Sequence, residues 1–215
     1  MIISRGRRYI FVHIPKTGGT ALSLALENRA MADDILIGDT PKAVRRKSRI
    51  QTLKASGRLW KHSRLSDIHG IVSDSEMSQF FVLTLIRNPW DRMVSYYHWL
   101  REQSFKHVAV ELAKQKSFDE FLDDSYIQSS IKSSPYTSYV TDRNGCEHCN
   151  VFVRIEHLAT DLKPFEKHLG FSLQDIQHVN SSTRDSDYRI YYNDEKAALV
   201  ARLCEIDIKR FDYRF

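Results

Sequence analysis

A short apolar run, residues 8–14 (RYIFVHI), gives way at once to the loop Pro15-Lys16-Thr17-Gly18-Gly19 and then to a helical stretch of ten residues or so from Thr20. No other feature constrains the fold as tightly. An apolar run of that length, bounded by turn residues, reads as a buried strand. A strand that feeds a helix through a short glycine-bearing loop is the opening of an α/β unit. The pattern recurs. Residues 80–86 (FFVLTLI) form a second run of strand length, after which Asn88 reads as a helix N-cap, Pro89 as the first helical residue and Asp91 as the third. Residues 151–155 predict a third strand and residues 157–169 another helix. A closing helix is expected over residues 193–210, with Ala197, Leu199, Val200, Leu203, Ile206 and Ile208 on its apolar face. Such alternation predicts a parallel central sheet flanked by helices in three layers. No internal repeat or linker divides the chain, so residues 1–215 read as one domain.

Composition narrows the class. A chain of 215 residues that is 42% hydrophobic can bury one sizeable core, and eight Gly and five Pro are too few for a fibrous or low-complexity protein. The apolar run at residues 9–14 is far shorter than a signal-peptide core and no small-residue cleavage site follows it. No window approaches the roughly 18 apolar residues of a membrane span. A soluble, cytoplasmic protein is expected. Three cysteines are an odd number and argue against a disulfide framework. Cys146 and Cys149 form a CxxC in a polar loop without a second Cys or His pair at zinc spacing, so the pair reads as surface loop and no metal is expected.

The loop between the first strand and helix has the chemistry of an anion site. Free backbone N–H groups and the positive end of a helix favour phosphate there. Gly18 and Gly19 admit close approach, Thr17 and Thr20 add hydroxyls, and Lys16 adds a mobile cation. It is not a Walker A loop, which needs GxxxxGK followed by Ser or Thr; here the lysine precedes the glycines. A plain tight turn is the bland alternative. A second segment, Arg87-Asn88-Pro89-Trp90-Asp91-Arg92, ends the second strand, and Ser95 follows two turns into the helix. Arg87 and Ser95 can clamp another phosphate; the bland alternative is an ion pair and a helix-surface serine.

Taken together, the PKTGGT loop and the RNPWDR segment with Ser95 resemble the carbohydrate sulfotransferases that use 3'-phosphoadenosine-5'-phosphosulfate (PAPS), in particular the bacterial group related to uronosyl and heparan sulfate 2-O-sulfotransferases. The likeness extends through Arg154-Ile155-Glu156-His157-Leu158, the stretch from Val179-Asn180 to Tyr191-Tyr192, and the closing Asp207-Ile208 and Phe211-Asp212-Tyr213-Arg214-Phe215. The resemblance implies a P-loop-like α/β fold and PAPS as donor, with PAP as product and no metal. It implies that Lys16, Thr17, Gly18, Gly19 and Thr20 hold the 5'-phosphosulfate, that Arg87 and Ser95 hold the 3'-phosphate, and that Lys16 stabilises the leaving oxygen. The related enzymes place a catalytic histidine some 25 residues before that arginine; His62 stands 25 residues before Arg87 and is the expected base, with His69 in reserve. Next to it, Lys61 would disfavour imidazolium. His13 reads as structural, and His98 as a lone helix histidine.

Residues 40–66 contain no acid and nine cations: Lys42, Arg45, Arg46, Lys47, Arg49, Lys54, Arg58, Lys61 and Arg64. Taken from the total of +5, they leave the rest of the chain at −4. This segment reads either as a solvated helix face or as a surface for an anionic acceptor such as an acidic polysaccharide. Nucleic acid is not expected: there is no reader motif, and the aromatics are not interleaved with these cations. A nucleotide kinase, which needs Mg²⁺ and a Walker loop, and a non-enzymatic polyanion-binding module are the competing functional readings.

Overall fold

The structure, a computed structural model, describes residues 1–173, 176 and 184–215. Val179 and Asn180, at the head of one family-like stretch, lie outside the described residues. In chain order the elements are β1 (Ile2–Ser4), β2 (Tyr9–Val12), α1 (Gly19–Asn28), β3 (Ile35–Leu36), α2 (Pro41–Arg45), α3 (Lys47–Gln51), α4 (Asp74–Gln79), β4 (Phe81–Ile86) and α5 (Pro89–Arg101). There follow α6 (Val108–Gln115), α7 (Phe118–Asp123), α8 (Ser125–Lys132), β5 (Val151–Arg154), α9 (Leu158–Asp161), α10 (Lys163–Leu169), α11 (Asp194–Leu203) and α12 (Glu205–Phe211). They group into two compact units, Met1–Ile86 with Tyr136–Val179, and Arg87–Pro135 with Asn180–Phe215.

The first unit holds a five-stranded sheet in the order β3-β1-β2-β4-β5. β2, β4 and β5 run parallel, with Val12 opposite Thr84 and Leu83 opposite Val151. The expected parallel core is β2, β4 and β5; at the other edge β1 is antiparallel to both β2 and β3. The reason is connection length. Only residues 5–8 join β1 to β2, closed by the Arg8 amide on the Arg5 carbonyl at 3.2 Å. A link that short can only reverse the chain, whereas a parallel return needs a crossover of a dozen residues or more. The sheet is therefore mixed and flanked by helices.

Alternate strand residues Tyr9, Phe11, Leu83, Leu85 and Val153 pack with Leu22 and Leu26 of α1 and Phe165 of α10. The intervening Ile10, Val12, Val82 and Ile86 are buried as well. Burial on both faces explains why these strands read as unbroken apolar runs. The one polar residue inside β4, Thr84, is buried and donates its hydroxyl to the Val12 carbonyl at 2.8 Å. Because β2 and β4 are parallel neighbours, the chain leaves both at the same edge of the sheet, where ligand sites in such sheets form. The helix expected at residues 157–169 is two helices, since Pro164 has no amide hydrogen to carry one through.

In the second unit Trp90, Met93, Val94, Tyr97 and Leu100 of α5 form a core with α6, α7, Ile127 of α8, and Val200 and Cys204. Asn88 caps α5 as its sequence position predicts: its Oδ1 accepts from the Trp90 amide at 3.0 Å, and its Nδ2 donates to the Arg214 carbonyl at 2.9 Å. The closing helix is interrupted at Cys204, which separates α11 from α12. Among the described residues no helix is long and apolar enough to cross a membrane.

Candidate active site

The loop after β2 folds on itself before it reaches α1. Thr17 is wholly buried and donates its hydroxyl to the Ile14 carbonyl at 2.9 Å. Its side-chain proton is thus engaged inside the loop. Lys16 and Gly18 both take left-handed backbone, with φ of 65° and 80°. That conformation is ordinary for glycine but strained for lysine, at about 1–3 kcal/mol, and such strain gathers at functional loops. Gly18 is the N-cap of α1, makes no side-chain cap bond, and no acidic residue stands in the first turn. The positive end of the helix therefore faces the loop without a carboxylate to neutralise it.

Gly19 is required by a neighbour. A Cβ there would lie 2.2 Å from Cδ2 and 2.5 Å from Nε2 of His13. The His13 ring is 6% exposed and rests on the first turn of α1. Its backbone carbonyl accepts a hydrogen bond from Nδ1 of His62 at 2.8 Å, and the two rings meet edge-on at 4.7 Å between centroids. Since a carbonyl only accepts, Nδ1 of His62 carries the proton and Nε2 of the neutral ring keeps its lone pair. One histidine thus links the expected base to the anion loop. This link joins positions 49 residues apart, so the sequence could not reveal it.

Both rings are held neutral. Burial, first of all, and then the cations around it push His13 well below its usual 6.5. Burial also lowers His62 to about 3; the His13 carbonyl opposes this and Lys61 adds to it. The expected effect of Lys61 is present but second to desolvation. A consequence for stability follows. Unfolded histidines bind a proton near 6.5 and these folded ones resist it, so stability is fully present above pH 6.5 and is lost as pH falls toward 3. Each histidine contributes a slope of about 1.4 kcal/mol per pH unit in that window. Urea unfolding between pH 7 and pH 5 should show it, and His62→Gln should remove about half of the slope; an unchanged slope would contradict burial of a neutral His62.

The second unit gathers its own charged cluster. Asp91 and Ser95 stand one turn apart on the same face of α5, and Ser95 is buried. One oxygen of Asp91 accepts from Nε of Arg87 at 2.6 Å. The other accepts from Nη2 of Arg184 at 2.6 Å. Nη1 of Arg184 and Nε2 of His98 are buried without a hydrogen-bond partner among the described residues. Burial, followed by Arg101 and Arg184, lowers the His98 pKa. Arg87 thus shares the Asp91 carboxylate with Arg184, while Ser95 and His98 stand on the same helix; Arg184 and His98 are two groups that sequence reasoning missed. For His98 the i, i+3 spacing from Ser95 was a usable signal; for Arg184, 93 residues from Asp91, there was none.

The remaining candidates lie elsewhere. Nδ1 of His69 faces an Asp74 oxygen at 3.6 Å. Cys146 lies on a turn organised by Asp142, whose Oδ1 accepts from the amides of Asn144 and Cys146, and Cys149 follows it, its thiol donating to the Val151 carbonyl at 3.3 Å. Among the described residues no group of three His, Cys, Asp or Glu could hold a metal ion. Much of the basic segment has structural work. Lys42 donates to the Glu27 carbonyl, Arg46 to those of Met31 and Asp34, and Arg49 to that of Ala32. These cations cover carbonyls at and beyond the end of α1, where a positive charge is favoured. Arg45, Lys47 and Lys54 are exposed. One reading of this segment is corrected: Trp60 stands between Arg58 and Lys61, and the Arg58 guanidinium lies over its ring at 5.6 Å.

Comparison with known proteins agrees with this architecture. Residues 1–215 match the model described as "Sulfotransferase family". Among solved structures the chain is similar to mouse sulfotransferase SULT7A1 complexed with PAP, at 14% identity and a TM-score of 0.55, over 95% of this chain and 84% of that one. No curated protein matches the sequence.

Proposed function

Because the chain belongs to the sulfotransferase family over its whole length, we propose that it transfers a sulfuryl group from PAPS to a hydroxyl of a carbohydrate acceptor carrying negative charge. Sulfuryl transfer by its nature requires a hydroxyl-bearing or similar acceptor. What carries the finer reading is the arrangement around His13: its ring rests on Gly19 of the anion loop, and its carbonyl orients His62 at 2.8 Å. A bare imidazole nitrogen beside an uncapped helix N-terminus suits a reaction that needs a base and an anionic leaving group together.

The donor supplies the sulfuryl group and a phosphate leaving group. The rest is the work of this chain. Lys16, Gly18, Gly19, Thr20 and the backbone of Thr17 hold the 5'-phosphosulfate on the positive end of α1. Arg87 and Ser95, with Arg184 and His98, hold the 3'-phosphate. Nε2 of His62 takes the proton from the acceptor hydroxyl as its oxygen attacks sulfur. The bond from sulfur to the phosphate oxygen breaks, and Lys16 stabilises the charge that grows there. Arg45, Lys47 and Lys54 steer the anionic acceptor.

Thermal unfolding in the presence of PAP, of ATP with Mg²⁺, or of heparin tests the donor. A ligand that binds only the native state raises the melting temperature by mass action. PAP should raise it strongly and ATP with Mg²⁺ little. Because Lys16 and the helix end supply the positive charge, sulfuryl transfer should survive EDTA. Activity lost to EDTA and restored by Mg²⁺, together with a larger shift from ATP, would replace this reading with a kinase.

A further inference from the structure

Three polar side chains of α5 share one stripe of the helix. Asp91, Ser95 and His98 stand at i, i+4 and i+7, so they lie one above another. The segment from Arg184 to Tyr191 reaches this stripe at both of its ends. Nη2 of Arg184 donates to Asp91 at 2.6 Å. The Tyr191 ring meets the His98 ring at 5.1 Å between centroids, and its hydroxyl accepts from the Asp185 amide at 3.0 Å. One tyrosine thus ties the backbone next to Arg184 to His98. Among the described residues, Nε2 of His98 and Nη1 of Arg184 are buried without a hydrogen-bond partner. The Arg184 side chain as a whole is only 10% exposed.

Buried polar atoms are as a rule paired, so two orphans beside one stripe point to a ligand that brings oxygen. Charge specifies it further. Arg87 and Arg184 on the Asp91 carboxylate are two positive charges against one negative, a net +1. A phosphate monoester brings about −1.5 to −2 at neutral pH. One proton on His98 closes the difference, and it makes Nε2 a donor toward the same oxygens as Nη1 of Arg184. We propose that His98 is the proton-linked ligand of the 3'-phosphate: a proton from water enters its ring when PAPS or PAP binds, and returns to water when PAP leaves. This rests on the placement of the 3'-phosphate at Arg87 and Ser95 proposed above, and goes beyond it.

At neutral pH and above the ring is uncharged before the ligand arrives. Burial, followed by Arg101 and Arg184, lowers its pKa, and Glu102 opposes them. Tyr97 and Tyr191 are its ring neighbours, at 5.5 Å and 5.1 Å. Glu102 is exposed, so water and salt weaken its support for imidazolium. A phosphate dianion against the ring reverses the balance and raises its pKa. The coupling is reciprocal: the factor by which phosphate strengthens proton binding is the factor by which the proton strengthens phosphate binding. Donor and product are therefore held more tightly as pH falls and less tightly as it rises. A nucleotide with a 3'-hydroxyl brings no such charge and draws no proton into His98. The same histidine thus helps the site to select a 3'-phosphorylated nucleotide.

Calorimetry of PAP binding to the full chain tests this. At about pH 7.5 the heat is measured in Tris and in bicine, whose ionisation enthalpies differ, which counts the protons exchanged. The second ionisation of each PAP phosphate, at about 6, is then nearly complete, so a proton taken up enters the protein. The parent should take up about half a proton or more per PAP. Its affinity, followed in Tris up to about pH 9, should fall by as much as about tenfold per pH unit. His98→Gln keeps a neutral N–H donor but cannot be protonated. It should take up at least about threefold fewer protons, bind PAP about tenfold more weakly at pH 7.5, and approach the parent affinity near pH 9. A merely structural role would weaken PAP equally at every pH. Adenosine 5'-monophosphate, which lacks the 3'-phosphate, should bind the parent without this uptake. An absence of proton uptake in the parent overturns the proposal even though PAP binds and the donor reading stands. Full uptake kept in His98→Gln, or matched by adenosine 5'-monophosphate, overturns it too. If PAP does not bind the parent at any pH, the donor reading falls and this proposal falls with it. The parent's own proton count needs no variant, so it decides the matter if His98→Gln fails to fold.

Discussion

Replacing His62 with alanine should slow sulfuryl transfer at least about a hundredfold, the usual lower bound for loss of a general base. PAP affinity should stay at the parent level, because His62 holds no phosphate. The argument is geometric before it is electrostatic. Nδ1 of His62 is tied to the His13 carbonyl at 2.8 Å, which leaves Nε2 as the basic nitrogen. His62→Gln keeps a donor for that carbonyl but has no comparable base, so it should fold normally and be as slow as the alanine variant. His69→Ala should remain near the parent rate, since His69 faces Asp74. The pH profile gives a second check. Burial lowers His62 to about 3 in the free protein. Its neutral form therefore prevails above that value, and kcat/KM should show no acid limb near 6.5. A base with so low a pKa gains strength once an anionic sulfate sits beside it, because the anion favours imidazolium. Near-parent rates in His62→Ala, or the larger loss in His69→Ala, would remove His62 from the mechanism.

Replacing Arg87 with alanine should weaken PAP binding by about 1.5–3 kcal/mol, the worth of a hydrogen bond to a charged group. In dissociation constant that is about tenfold to more than a hundredfold. Arg87 is held by Asp91 at 2.6 Å, as is Arg184 from the other oxygen. Two guanidiniums on one carboxylate leave a net positive cluster, preorganised before any ligand arrives, and Nη1 of Arg184, without a hydrogen-bond partner among the described residues, is one donor in waiting. Arg184→Ala should therefore weaken PAP binding as well, and Ser95→Ala to a smaller degree. The loss should appear in donor affinity, with the rate at saturating donor largely kept. Calorimetry that finds unchanged PAP affinity in both Arg87→Ala and Ser95→Ala would refute this placement of the 3'-phosphate.

Much of the fold was legible because its signals are short-range. Apolar runs of strand length at residues 8–14 and 80–86 announced β2 and β4, and Asn88 with Pro89 announced the start of α5. Capping and periodicity act within one or two turns of the residue that carries them, so a single sequence suffices to read them. The order of Lys16 and the glycines likewise set the loop apart from a Walker A motif before any coordinates. The direction of β1 was decided otherwise: three residues are too few to show a period, and only the pairing with β2 and β3 makes them a strand. The same holds at the site. That Nε2 is the basic nitrogen of His62 depends on a carbonyl 49 residues away, and that Asp91 gathers two arginines depends on a partner 93 residues away. Burial, which sets the protonation of His13 and His62, is likewise a property of everything packed around a ring and of no residue beside it in sequence. Residue identity determined which groups could do the chemistry; the path of the chain through the sheet decided which of them meet, because hydrogen bonds and desolvation act over a few ångströms of space and not over positions along the chain.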